Sequence, residues 1–122
     1  MQQVFHLIVL GDANLLHQAV DNLLTNACKY TSSSGQVVLS LFAQSSWAVI
    51  EITDTGIGIP ETDLPHIFER FYRVDKKRVC KTGGYGLGLS IVQQIVRTHG
   101  GRIRVKSVVD FGSTFKIILP LK

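Results

Sequence analysis

Gly83-Gly84-Tyr85-Gly86-Leu87-Gly88-Leu89-Ser90 reads as a glycine loop that runs directly into a helix. The residues that follow set apolar side chains at Leu89, Ile91, Val92, Ile95 and Val96, which is helical spacing with one buried stripe. A helix is therefore expected over residues 86–97. Glycine lets the backbone take positive φ and approach a ligand closely. The free N–H groups and the dipole at a helix start favour an anion. The loop is thus a candidate phosphate cradle, and a tight turn that needs glycine only for its shape is the competing reading.

Working outward, Arg70, Arg73, Lys76, Lys77, Arg78 and Lys81 lie just before the loop. A basic segment beside a phosphate cradle suits a nucleoside triphosphate. A nucleic-acid patch would show a regular basic face with interleaved aromatics, and this segment has no regular helical face and few aromatics. The third reading is a solvated loop. The chain as a whole has 122 residues, a net charge of +4, 45% hydrophobic and 18% charged residues, the composition of one folded domain over residues 1–122. No apolar run approaches the roughly 20 residues that span a bilayer. Met1-Gln2-Gln3-Val4-Phe5 lacks the regions of a signal peptide, so the segment is read as cytoplasmic and without membrane contact. Cys28 and Cys80 show neither metal spacing nor a disulfide framework and read as reduced thiols.

Before the glycine loop, residues 4–9 are apolar and β-prone, and a strand is expected there. Asp12 is a plausible N-cap for a helix that starts at Ala13. Its core stripe is Leu16, Val20, Leu23 and Ala27; an adjacent stripe holds Asn22, Asn26, Lys29 and Tyr30. Asparagines and a lysine beside an apolar stripe cost desolvation unless something binds them. The side-chain oxygen of Asn26 suits Mg²⁺, a hard cation that takes oxygen ligands and bridges substrate phosphates. Residues 36–43 and 47–53 read as a hairpin that delivers Asp54 at its end. Asp54-Thr55-Gly56-Ile57-Gly58-Ile59-Pro60 is either an ordinary turn or a base-reading element. In the second case a carboxylate accepts from the exocyclic amine of adenine, Gly56 and Gly58 let the ring approach, and Ile57 and Ile59 supply apolar surface. Residues 61–73 are expected to form a short helix, interrupted near Pro65, with Phe68, Phe71 and Tyr72 as an aromatic cluster. Residues 74–84 read as a lid. Gly100 is a C-cap, His99 a helix-end residue, and residues 102–108 and 113–119 two strands around Asp110-Phe111-Gly112. Alternation puts Ser113 and Phe115 on one face, so Ser113 can point into the pocket of Asp54. Arg102, Arg104, Lys106 and Lys116 read as a solvated face.

Four elements therefore occur in one order: Asn22-x-x-x-Asn26 with Lys29-Tyr30, Asp54-x-Gly56-x-Gly58, Phe68-x-x-Phe71-Tyr72-Arg73, and Gly84-x-Gly86-x-Gly88. The set resembles the ATP-binding catalytic domain of bacterial sensor histidine kinases, from about Gly11 to Pro120. The run Ile67 to Arg73 separates this resemblance from the gyrase, mismatch-repair and heat-shock chaperone relatives of the same fold. The resemblance implies an α+β, two-layer α/β sandwich, with a mixed, mostly antiparallel sheet on a helical layer.

It also implies roles. Asn26 resembles the Mg²⁺ ligand and Asn22 its neighbour. Lys29 and Arg73 resemble phosphate contacts, and Tyr30 packs near the nucleotide. Asp54, Gly56, Gly58, Ile59 and Ser113 surround the base of ATP. Gly84, Gly86, Leu87 and Gly88 cradle the phosphates, with Lys81 as a further contact. The terminal box departs from the family's pattern, with Asp110 at its first glycine position. None of His6, His17, His66 and His99 sits in the family's phosphoacceptor motif. The partner implied is thus a dimerisation and phosphoacceptor helical domain, with a response regulator served indirectly and no nucleic acid. Asn22 stands where hydrolysing relatives have a Glu base, so slow intrinsic ATP hydrolysis is expected. The alternatives within the fold are an anti-sigma-type serine kinase and a non-catalytic nucleotide-binding regulatory module.

Overall fold

The computed structural model describes residues 7–70, 72 and 88–122. Helix α1 spans Ala13–Tyr30, and Asp12 starts it in extended conformation. The Asp12 carboxylate accepts the N–H of Leu15 at 3.1 Å and its carbonyl accepts that of Leu16 at 3.0 Å. The first satisfies an orphan donor of the first turn, and the second is the first regular bond of the helix. Lys29 in the last turn complements the negative end of the dipole. Leu23 and Ala27 are buried as the spacing predicts, and Leu16 and Val20 pack against the core. Ala19, fully buried, extends that stripe.

Strands β1 (Val37–Gln44), β2 (Trp47–Asp54), β3 (Arg102–Val108) and β4 (Gly112–Pro120) form one sheet in the order β1-β2-β4-β3, antiparallel at every pairing among the described residues. The first hairpin turns through Ser45 and Ser46, with Ser45 at φ 54. Register partners Ile52 and Phe115, and Ile50 and Ile117, face the helices. The opposite face carries Glu51 beside Lys116, whose charges lie 3.7 Å apart, and the Arg102 guanidinium over the Trp47 ring at 5.5 Å. Arg102, Arg104 and Lys106 alternate outward along β3, as expected of a solvated face. Edge strand β1 exposes Val38, Leu39 and Leu41.

Helix α2 spans Gly88–Thr98 and buries Val92, Ile95 and Val96 against α1 and the sheet. Gly100 (φ 75) ends it: the N–H groups of Gly101 and Gly100 donate to the carbonyls of Val96 and Arg97 at 2.9 and 3.0 Å, a Schellman arrangement. His99 joins the two helices. Its Nε2 accepts the N–H of Asp12 at 3.0 Å, and its Nδ1 meets the Ile95 carbonyl at 2.7 Å. Nδ1 therefore carries the proton. Each fully buried large side chain of this core contributes about 1.5–3 kcal/mol.

Two expectations change. Residues 7–10 form no strand, and residues 1–6 lie outside the described residues. Residues 61–70 form turns and a short 3-10 helix, Leu64–His66, instead of a longer helix. Pro65 in that turn lacks the N–H that an α-helix would need there. The expected lid at residues 74–84 lies outside the described residues.

Candidate functional site

Asp54 is the last residue of β2 and pairs in register with Ser113, so both side chains rise from the same face. Both are buried, at 6% and 8% exposure. Asp54 Oδ1 accepts the N–H of Gly56 at 2.9 Å and that of Ser113 at 3.3 Å. Oδ2 has no hydrogen-bond partner among the described residues. One carboxylate oxygen is thus fixed by the backbone, while the other is a free acceptor at a strand end.

The loop after Asp54 is tied on both sides. Ile57 N–H donates to the Tyr30 carbonyl at the end of α1 (3.1 Å). Asp110 N–H donates to the Ile57 carbonyl (2.9 Å), and Ile59 N–H donates to Ser107 Oγ (2.7 Å). Gly56 and Gly58 have a structural reason distinct from the expected approach of a ring. A methyl on Gly56 would collide with the Tyr30 carbonyl oxygen, and one on Gly58 (φ 74) with the Val108 carbonyl oxygen. The protein's own backbone fills the space that the missing side chains leave. Asp110 adopts φ 70, so an Asp takes the left-handed conformation that glycine favours, and the turn keeps its shape.

On α1, Asn22 and Asn26 are half-buried one turn apart, Tyr30 is half-buried at the helix end, and Lys29 is exposed. The carboxamides of Asn22 and Asn26 have no hydrogen-bond partner among the described residues, which leaves their oxygens free to ligate. No group of three or more His, Cys, Asp or Glu that could hold a metal occurs among the described residues. The donor set fits Mg²⁺ with one protein oxygen, water and phosphates, and not a cage of protein ligands.

The expected aromatic cluster divides. Phe68 packs edge-on against Phe115 in the core at 6.5 Å, whereas Tyr72 stacks on His66 at 5.3 Å. Tyr72 donates its hydroxyl to Asp63, and that hydrogen bond raises the phenol above its ordinary value of 10.0. Gly88 opens α2 and is exposed. Phe71, Arg73, Lys81, Gly84, Gly86 and Leu87 lie outside the described residues.

Sequence reading passed over Ser107. Its hydroxyl meets Ile59 N, Gly112 O and Ser113 Oγ at 2.7, 3.0 and 2.7 Å. Its inward parity on β3, between outward Lys106 and Val108, was the available signal.

Among the described residues, two α-helices on an antiparallel four-stranded sheet form an α+β sandwich, with a half-free carboxylate at the end of β2. Over residues 11–122 the chain matches the family described as histidine kinase-, DNA gyrase B-, and HSP90-like ATPase, and it belongs to that family. It is 46% identical over 111 residues to the sensor histidine kinase RppB of Synechocystis sp., covering 91% of this chain and 24% of that protein. Its fold is similar to that of a mycobacterial sensor histidine kinase, MprB, with a TM-score of 0.81 and 36% identity over 93% of this chain and 77% of that one. Full-length ShkA, solved with AMPPNP, gives a TM-score of 0.79 and 31% identity over 95% of this chain and 23% of that one. The chain thus spans about a quarter of the length of its curated relative RppB. It is homologous to the ATP-binding catalytic domains of sensor histidine kinases. No helix among the described residues is long and apolar enough to cross a membrane.

Proposed function

We propose that residues 1–122 form one catalytic module that binds Mg-ATP and donates the γ-phosphate to a histidine on a separate helical domain of a sensor kinase. The observation that carries this reading is Asp54, with Oδ1 held by two backbone N–H groups and Oδ2 left as an acceptor beside Ser113. The unpaired Oδ2 of this carboxylate keeps its lone pairs for a donor on a ligand. The amine of adenine is such a donor. The free carboxamide of Asn26 supports a Mg²⁺ role, assisted by Asn22, and Mg²⁺ would neutralise charge on the phosphates. Lys29, Arg73 and Lys81 are proposed phosphate contacts. Gly84, Gly86, Leu87 and Gly88 are the proposed cradle, while Tyr30, Gly56, Gly58, Ile59 and Ser113 shape the base end.

Phosphoryl transfer depends mainly on positioning and charge stabilisation. A neutral imidazole is already a nucleophile, so the chain need not supply a strong base. An Asn at position 22 has no basic lone pair to activate water, which favours transfer over hydrolysis. The test is incubation with Mg-ATP and the helical domain of a sensor kinase containing the acceptor histidine. Acid-labile, base-stable phosphate on that histidine is expected. Acid-stable phosphate on a serine, or rapid ATP hydrolysis without transfer, would overturn the reading.

A further inference from the structure

The two edges of the sheet are built differently. Along β3, Arg102, Arg104 and Lys106 alternate outward. The other edge, β1, reads Val37-Val38-Leu39-Ser40-Leu41-Phe42-Ala43-Gln44, with no charge and no proline. Its register against β2 is one-to-one from Val37 and Asp54 to Gln44 and Trp47, so it has no bulge. Charges, prolines and bulges are the devices that keep a free edge from pairing. β1 has none of them.

Alternation fixes which backbone groups of β1 are open. Gln36, just before the strand, faces β2: its carbonyl accepts the Thr55 N–H at 3.0 Å, and its N–H donates to Thr55 Oγ1 at 2.8 Å. The N–H and C=O groups of Val38, Ser40, Phe42 and Gln44 therefore point towards β2, and those of Val37, Leu39, Leu41 and Ala43 point outward. Among the described residues β1 pairs with β2 alone. Both faces beside this open ladder are apolar. Leu39 and Leu41 are 52% and 58% exposed on the helix side, and Val38 is 50% exposed on the other. At the turn from β1 into β2, the Ser46 carbonyl accepts the Leu121 N–H at 2.9 Å, and the next N–H, of Lys122, donates to the Ile8 carbonyl at 2.8 Å. Ile8 is thereby tied to the end of the sheet where β1 finishes.

We propose that residues 1–6 add to β1 as a fifth strand, parallel to it. Extended, six residues reach about 20 Å, most of the length of β1. Because Ile8 sits at the Gln44 end, a segment that leads into it along β1 runs in the same direction as β1. A parallel pair needs a crossover of a dozen or more residues, usually a helix. Helix α1, which lies between this segment and β1 in the chain, is that crossover. Met1-Gln2-Gln3-Val4-Phe5-His6 has no Asp, Glu, Lys or Arg, and Val4 and Phe5 fall on opposite faces of a strand. One of the two covers Leu39 and Leu41, the other Val38 and Phe42. The proposal is independent of the nucleotide reading.

The test is amide hydrogen exchange, read residue by residue by NMR, in the full chain and in a chain lacking residues 1–6. In the full chain Leu39, Leu41 and Ala43 should exchange slowly. Deletion should speed these three by about tenfold or more, the loss of one backbone hydrogen bond each, while Ser40 and Phe42 stay slow. Fast exchange of the three amides in the full chain, or slow exchange that survives the deletion, overturns the proposal. Should the shortened chain not fold, the double variant Val4→Asp, Phe5→Asp decides: it should speed the same three amides, and unchanged exchange refutes the pairing. Sedimentation of the full chain separates the remaining occupant. Protection in a monomer supports residues 1–6, whereas protection that is lost on dilution of a dimer assigns the edge to a second copy and overturns the proposal.

Discussion

Replacing Asp54 by Asn separates what this side chain does for the fold from what it does for a ligand. In the structure, Oδ1 accepts two backbone N–H groups, from Gly56 and Ser113, and Oδ2 accepts none among the described residues. The carboxamide oxygen of Asn can keep both backbone bonds, so the NH₂ group must take the place of Oδ2. The folded state loses the charge on two hydrogen bonds, and it also loses the cost of burying a carboxylate. The net change should be about 1 kcal/mol or less, or roughly 4 °C in Tm for a domain of this size. The ligand side fares worse, because a donor would face the donor amine of adenine. Losing that bond and leaving the amine unpaired costs about 1–3 kcal/mol, roughly a 5- to 150-fold rise in Kd. Calorimetric titration with an ATP analogue, paired with a thermal melt, reads both. Asp54→Ala removes the backbone acceptor as well, so it should lower Tm more than Asp54→Asn does. An Asp54→Asn chain that melts like the original and binds the analogue equally well would remove Asp54 from the site.

Asn26→Ala should abolish the Mg²⁺ dependence of nucleotide binding while leaving the metal-free affinity in place; retained dependence in calorimetry would put the metal elsewhere. Leu23, 1% exposed between α1 and the sheet, should lose about 2–5 kcal/mol on truncation to Ala, measured by urea unfolding. A loss below 1 kcal/mol would mean that the helical layer packs differently. Tyr72 should ionise above 10.0, because its hydrogen bond to Asp63 favours the neutral phenol. With the folded value raised, the contribution of that bond is present below the ordinary pKa and is lost as pH rises through the folded value. Phenolate absorbance should show a late step that Tyr72→Phe removes, and an unchanged titration curve in that variant would refute the assignment.

Much of the fold was legible because its signals are local. Asp12 before an apolar stripe marks a helix start, and the Asp12–Leu15 contact bears that out. Gly100 after the stripe of α2 marks its end. Alternation along residues 113–119 gave the inward face of β4 directly. What failed was also local. Residues 4–9 look β-prone, but a strand needs a ladder, and among the described residues 7–10 make one backbone bond, from Lys122 N–H to the Ile8 carbonyl at 2.8 Å. Residues 61–73 carry helix-compatible spacing, but Pro65 and the packing of Phe68 and Tyr72 in different directions accompany a single 3-10 turn among residues 61–70. In the site, the type and place of Asp54 were readable, since a carboxylate at a strand end before two glycines is conspicuous. The reason for those glycines was not. It lies in the carbonyls of Tyr30 and Val108, which approach from distant parts of the chain. Ser107 escaped notice for the same reason, and His99, read as a helix-end residue, gave no sign of its bond to Asp12. A serine on a strand and a histidine after a helix look ordinary until folding brings Ile59, Ser113 and Asp12 to them.

Calorimetric titration of the chain with a non-hydrolysable ATP analogue, with and without Mg²⁺, tests the nucleotide site most directly. The account predicts saturable binding that Mg²⁺ strengthens. Absence of binding under both conditions would contradict it.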